Sequence, residues 1–296
     1  MRLGNLRGRA VLLAGTLCLD VAEASAGLLP AAPGALLRDW DRFVLWARST
    51  TLQPSTPFDP AQLGPPVPRP RQVFAVALNY PQHAGEAQLA VPEVPLIFTK
   101  FPGCIAGPGG TIALPQGNVD WELELVVVIA RDAYRIAEES AWDAVAGVTV
   151  GQDISERRLQ LNGAAPQYSL GKSYPGFGPI GPAIVTVDEL PDRDDLELRC
   201  VLSGEEVQHD RTSSMVFSVP RLIAHISAVC PLYAGDLVFT GTPAGVGNRR
   251  SPQRFITAGD ELVSRIEHVG EMRHRFAATQ ESATVVQESI DEHATR

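Results

Sequence analysis

Residues 120–129 read Asp-Trp-Glu-Leu-Glu-Leu-Val-Val-Val-Ile, an apolar stretch interrupted by two glutamates one pleat apart. Side chains two apart on a strand share a face. Trp121, Leu123, Leu125 and Val127 therefore line one side, and Glu122 and Glu124 the other, followed by Val126 and Val128. A fold that buries this strand must accommodate two adjacent carboxylates, which repel each other and lose their hydration. A bound divalent cation relieves both penalties, because hard cations take carboxylate oxygens. The plainer alternative is an edge strand whose glutamates meet water, since exposed acidic faces are common.

A third carboxylate favours the cation. After a helix-like piece over 138–146, a second apolar strand at 147–150 runs into Gly151-Gln152-Asp153, so Asp153 stands at a strand end. A strand–helix–strand path brings neighbouring strands together. Three oxygens from Glu122, Glu124 and Asp153 leave octahedral Mg²⁺ or Mn²⁺ room for water and a chelating substrate.

Several motifs stand in a fixed order along the chain: Asn79-Tyr80-x-x-His83-x-x-Glu86, Asp120-x-Glu122-x-Glu124, Asp153-x-Ser155-x-Arg157, Gly171-Lys172-Ser173 and a closing Gly235-Asp236-x-x-x-Thr240-Gly241-Thr242-Pro243. This order resembles the fumarylacetoacetate hydrolase superfamily, in particular its small bacterial acylpyruvase, oxaloacetate decarboxylase and 2-hydroxyhepta-2,4-diene-1,7-dioate isomerase members. The likeness covers roughly residues 70–270. Departures from the family pattern at Ala77, Pro175-Gly176, Ser203 and Ala234 remove neither a ligand nor the His–Glu pair. The resemblance implies an α+β, predominantly β fold, with a mixed β-sandwich roll as catalytic domain and a small N-terminal α+β domain. It also implies a homodimer. The activity it implies is cleavage of a C–C bond in a small 2-oxo or 2,4-dioxo acid of acylpyruvate or fumarylacetoacetate type, through an enolate, with Mg²⁺ or Mn²⁺. Oxaloacetate decarboxylation and diene-dioate isomerisation use the same site and are the alternatives. A non-catalytic dicarboxylate-binding protein is the reading from another class.

Charge and composition bound the partners. A formal charge of −9 argues against nucleic acid and anionic membranes. No apolar run approaches the ~18 residues of a membrane helix. Arg2, Arg7 and Arg9 ahead of the apolar residues 10–15 imitate a signal peptide, but Asp20 and Glu23 interrupt its core. Four scattered cysteines without C-x-x-C spacing read as free thiols, and the expected compartment is the cytoplasm. The stretch from Pro54 to Pro70 carries seven prolines, both ends included, a density that excludes helix and central strand and reads as a semi-rigid linker. The expected organisation is an N-terminal domain over 1–53, linker 54–70, catalytic domain 71–276 and polar tail 277–296. Residues 36–49 carry apolar side chains at helical spacing and predict the helix of the first domain.

The candidate chemistry beyond the carboxylates is local. His83 and Glu86, three apart, share a helical face and can hydrogen-bond. An ordinary surface pair is the bland reading; the resemblance makes them the water-activating dyad. Asn79 and Tyr80 flank them as candidate substrate contacts in a mobile segment. Lys172, one of only two lysines, lies in a Gly/Pro-rich loop and could neutralise a substrate carboxylate or enolate. Arg157 could grip a carboxylate bidentately, or be spent on Glu124 or Asp120, and Gln160 could add a hydrogen bond. The turn 240–247 lacks the Lys-Ser/Thr of a P-loop and offers Thr242 to an oxyanion instead.

Overall fold

In the computed structural model, which describes residues 1–279, the chain opens with an antiparallel meander of β1 (Arg2–Leu6), β2 (Arg9–Ala14) and β3 (Leu17–Asp20). Helix α1 (Val21–Ala24) follows, with Asp20 accepting from the Glu23 backbone N–H as N-cap. The helical pattern over 36–49 resolves into two helices, α2 (Pro33–Arg38), begun by a proline, and α3 (Trp40–Ser49). Asp39, at φ −113° and ψ 32°, breaks them apart. The break turns both apolar stripes, Leu36 and Leu37 from one helix and Trp40 and Phe43 from the other, into the same core.

The proline-rich segment is more than a spacer. It contributes β4 (Thr56–Pro57), paired with β3, and β5 (Leu63–Gly64), paired with β1. Both are two-residue edge pieces, the only strand role this proline density permits. The chain then forms β6 (Val73–Ala77), α4 (Pro81–Glu86), β7 (Leu96–Thr99), β8 (Ile105–Ala106), β9 (Gly109–Leu114), β10 (Val119–Asp120) and β11 (Leu123–Ile129). Instead of an α-helix over 138–146, a 3₁₀ turn (Glu138–Ala144) leads into β12 (Val145–Gln152), which is longer than expected. Next come β13 (Ser155–Glu156), α5 (Arg157–Gln160), α6 (Tyr168–Gly171), β14 (Gly178–Val185), β15 (Glu197–Leu202) and β16 (Glu205–Arg211). Helix α7 (Val219–Ser227) is capped by Ser218 and buries Val219, Leu222, Ile223 and Ile226. Strands β17 (Leu237–Phe239), β18 (Glu261–Ile266) and β19 (Gly270–Ala278) complete the described chain.

Twelve strands join one sheet, whose main path runs β4-β3-β2-β1-β14-β12-β11-β17-β6-β7, and β16-β15-β18-β19-β9 form a second. The fold is α+β and predominantly β. The N-terminal segment 1–53 is continuous with the large sheet, because β1 pairs β14 with Leu3 opposite Ile184. Strand β11 lies at the centre and is buried along its whole length. Leu125 and Val127 face a core shared with Leu198, Leu262 and Phe276 of the second sheet. Val126 and Val128 face the other core, against Leu36, Trp40 and Phe43. The expected alternation of this strand is thus used on both sides. Its full burial means that Glu122 and Glu124 do not sit on a solvated edge.

The expected catalytic domain stops at 276, yet β19 continues, with Ala277 opposite Ala113 and Ala278 opposite Leu114. The rest of the expected polar tail, from residue 280, lies outside the described residues. The four cysteines are free, and no helix among the described residues is long and apolar enough to cross a membrane.

Candidate active site

Where β11 begins, its backbone is held by side chains in place of a neighbouring strand. The Glu122 N–H donates to Gln152 Oε1 (2.9 Å) and the Leu123 N–H to Gln208 Oε1 (3.0 Å). On the other side the Asp153 N–H donates to the Glu122 carbonyl at 2.8 Å. With Leu123 opposite Gln152 and Glu124 opposite Gly151, this register brings three carboxylates together. Ligand-capable oxygens of Glu122, Glu124 and Asp153 all lie within 4.8 Å of one another, and all three residues are buried.

Burial pushes the Glu124 carboxyl well above the usual range, and the charges of Asp153 and Glu122 push it further. One oxygen is steadied by the Gly241 N–H at 2.7 Å. Gly241 has φ +98°, and a Cβ there would come within 2.7 Å of Asn79 Cβ, so only glycine brings this amide to the carboxylate. For Glu122 burial acts in the same upward direction, but Lys172, Arg157 and His83 outweigh it and hold the group well below the ordinary value.

Two lysines thread the cluster. Lys172 Nζ donates to Glu122 Oε2 (2.7 Å), Asp153 Oδ2 (2.7 Å) and Ser155 Oγ (2.8 Å). Burial alone would depress its pKa, yet Asp153 and Glu122 keep it raised and the ammonium charged. Lys100, to which no motif assigns a role, donates to Asp153 Oδ1 at 2.6 Å and to the carbonyls of Lys172 and Phe177. The rarity of lysine in this chain pointed at Lys100 as much as at Lys172. Arg157 is committed inside the protein: its guanidinium pairs with Asp120 Oδ1 (2.7 Å) and Glu122 Oε1 (2.7 Å) and donates to Gln160 Oε1 (2.8 Å). Of the two bland readings, the bridge to Asp120 forms and the one to Glu124 does not; Glu122 takes its place. Burial, only partly offset by Arg157, pushes Asp120 up to about 6.

The predicted dyad forms. His83 Nδ1 lies 2.7 Å from Glu86 Oε1 on α4, and Glu86 Oε2 accepts from the Gly245 N–H at 2.9 Å. His83, Glu122, Arg157, Gln160, Lys172 and Thr242 line one cleft, closed by Phe98, Tyr168 and Leu161, with about 80 Å³ of free volume. The Thr242 hydroxyl donates to the Leu123 carbonyl at 2.9 Å and accepts from Gln208 at 2.8 Å, so it braces the ligand strand while facing the cleft.

Asn79 and Tyr80, expected to contact substrate, are placed elsewhere. The Asn79 amide donates to the carbonyls of Phe217 and Thr240 and accepts from the Phe217 N–H, which uses both of its donors inside the core. Tyr80, at the N-cap of α4, is fully buried, and burial followed by the charges of Glu124 and Asp210 raises its phenol pKa. Neither residue lines the cleft.

The residues present fit a divalent cation. They supply three converging hard oxygens, and Glu124 carries a repulsion that a cation would relieve.

The family match agrees with this architecture. The fumarylacetoacetate (FAA) hydrolase C-terminal family model matches residues 72–277, and the chain belongs to this family of enzymes. Among its relatives, the mitochondrial oxaloacetate tautomerases FAHD2A of Bos taurus and of Homo sapiens are each 42% identical over 207 residues, covering 69% of this chain. The match spans 66% of each relative's own length. A crystal structure of a candidate HpcE protein from Mycobacterium smegmatis is 54% identical with a TM-score of 0.91, covering 95% of this chain and 100% of that one. Maleylpyruvate hydrolase from Sphingobium sp. SYK-6, solved with manganese(II) and pyruvate, is 28% identical with a TM-score of 0.77, over 95% of this chain and 100% of that one.

Proposed function

We propose that this enzyme moves protons on a small 2-oxo acid at a divalent-metal site, and that keto–enol interconversion of a short 2-oxo dicarboxylate such as oxaloacetate is its reaction. The observation that carries the reading is a base and a carboxylate cluster opening into one cleft: His83, fixed by Glu86, faces the same cavity as Glu122 and Lys172. The cavity, about 80 Å³, is far smaller than the ~300–1,000 Å³ that holds drug-sized ligands, which favours a compact substrate. The tautomerase relatives support the same substrate.

Glu122, Glu124 and Asp153 would hold Mg²⁺ or Mn²⁺, which would supply Lewis-acid polarisation of the 2-oxo group. Glu86 engages His83 Nδ1, which leaves Nε2 to take a proton from the carbon beside that group while the 2-oxo oxygen gains one from water to give the enol; in the reverse direction His83 returns a proton to the carbon as the enol O–H loses its own to water. Lys172 holds a positive charge at the cluster, where negative charge develops on the substrate oxygen. Arg157 keeps Glu122 ionised and oriented. Gln160 and Thr242 form polar wall.

A second reading, hydrolysis of the C–C bond of a short acylpyruvate, is favoured by the likeness to maleylpyruvate hydrolase and uses the same dyad to activate water. The experiment is an NMR-followed panel of oxaloacetate, acylpyruvates and 2-hydroxy-diene-dioates on chelated and metal-restored protein. Rapid oxaloacetate interconversion only with Mg²⁺ or Mn²⁺ is the expected result. Full activity without metal refutes the site assignment, and acylpyruvate cleavage with no effect on oxaloacetate transfers the case to hydrolysis. The homodimer and the reducing compartment remain part of the proposal; light scattering should give twice the 31.8 kDa chain mass.

A further inference from the structure

Three cations line the cleft, and two of them are spent on the protein. Lys172 is held by Glu122 and Asp153, and Arg157 by Asp120 and Glu122. Neither has a full charge to offer a second anionic group on the substrate. The third is Arg249, two residues past the glycine-rich turn 240–247. It lines the same cleft, its side chain is exposed at the mouth, and among the described residues no ion pair or hydrogen bond engages its guanidinium. Its neighbour Arg250, by contrast, is paired with Glu205.

The backbone beneath Arg249 is fixed. It ends the 3₁₀ turn Gly247–Arg249, where the Asn248 N–H donates to Asp120 Oδ2 at 2.7 Å. Asp120 is the same carboxylate that pairs with Arg157, so the turn is tied to the site floor. A Cβ on Gly247 would meet the Arg254 carbonyl at 2.0 Å, which pins the turn tightly against the following segment. An exposed guanidinium on a fixed turn, lining the same cleft as Glu122, suits an anion on the far end of a ligand whose near end lies at Glu122.

We propose that Arg249 is the specificity residue for the distal carboxylate, making the substrate class 2-oxo dicarboxylates over 2-oxo monocarboxylates. This rests on the proposed chelating site, and binding is chosen as the measurement so that it needs no turnover. Two unreactive four-carbon ligands isolate the distal group: malate, which carries the second carboxylate, and 2-hydroxybutyrate, which has a methyl in its place. Calorimetry on Mg²⁺-loaded protein should show malate binding ~10–100-fold tighter, the range of a charge-assisted hydrogen-bonded pair. Arg249→Gln should bring that ratio near one, Arg249→Lys should keep part of it, and Arg250→Gln should leave it intact. A ratio unchanged in Arg249→Gln overturns the assignment. So does an equal loss in Arg250→Gln, which would mean a general field effect, or a wild type without preference. Failure of the oxaloacetate reaction itself is a separate result, visible in the NMR panel and not in these ratios.

Discussion

Replacing Lys100 with methionine tests the electrostatic account of the buried cluster. Four carboxylates (Asp120, Glu122, Glu124, Asp153) and three cations (Lys100, Arg157, Lys172) are withdrawn from water there, each 7% exposed or less. Removing Lys100 leaves four acids against two bases. Truncating one partner of a buried ion pair typically costs ~3–5 kcal/mol. Asp153 retains Lys172, which moderates that figure, but the carbonyls of Lys172 and Phe177 lose their donor, at ~1–3 kcal/mol for each group left unsatisfied. The expected loss is about 4 kcal/mol, a large part of the ~5–15 kcal/mol available to a folded domain. In melting temperature this is about 8–16 °C, at ~2–4 °C per kcal/mol for a chain of this size class. Urea unfolding followed by tryptophan fluorescence measures it, since Trp121 is fully buried beside the cluster. The double variant with Asp153→Asn should show a coupling of ~2 kcal/mol between the two positions, within the range for contacting residues. A loss below ~1 kcal/mol, or additive effects of the two substitutions, would refute the reasoning.

Two further outcomes follow from other parts of the structure. His83→Ala should lower kcat ~10²–10⁴-fold on the preferred substrate, the usual cost of a lost general base, while Glu86→Gln gives a milder defect; steady-state kinetics with calorimetric oxalate binding separates catalysis from binding. Burial lowers the pKa of His274 below its ordinary 6.5, against a smaller upward effect of the Gly107 carbonyl. The unfolded imidazole therefore takes its proton first on acidification. Its contribution to stability is whole above pH ~6.5 and falls away as pH drops toward the folded-state value. His274→Gln should flatten the pH dependence of urea stability between pH 7.5 and 5.5; an unchanged slope would count against it.

The site was legible where the chemistry is local in sequence. The two-residue period of β11 placed Glu122 and Glu124 together, the strand end placed Asp153 beside them, and helical spacing paired His83 with Glu86. Asn79 and Tyr80 misled because proximity to His83 along the chain says nothing about side-chain direction, and both turn inward at the start of α4. Gln152 and Gln208 were invisible for another reason. Their task is to satisfy two backbone N–H groups, the second on a residue 85 positions away, and an amide side chain carries no sequence mark of that duty. The pairing of β1 with β14 was hidden in the same way: a proline-rich segment looks like a boundary whether or not the strands before it rejoin the sheet.

The position of β17 has a consequence for synthesis. This three-residue strand lies between β11 and β6 and pairs with both, so the sheet that carries Glu124 stays split until residue 239 is in place. Lys100 leaves the ribosome about 140 residues before Thr240, an interval of roughly 7–30 s at common elongation rates. Until then the cluster residues already made stay hydrated, and the edge of β11 that pairs with β17 is open. The hazard in this interval is the uncovered strand edge, and the charges of residues 120–124 stand next to it as natural gatekeepers against pairing with another chain.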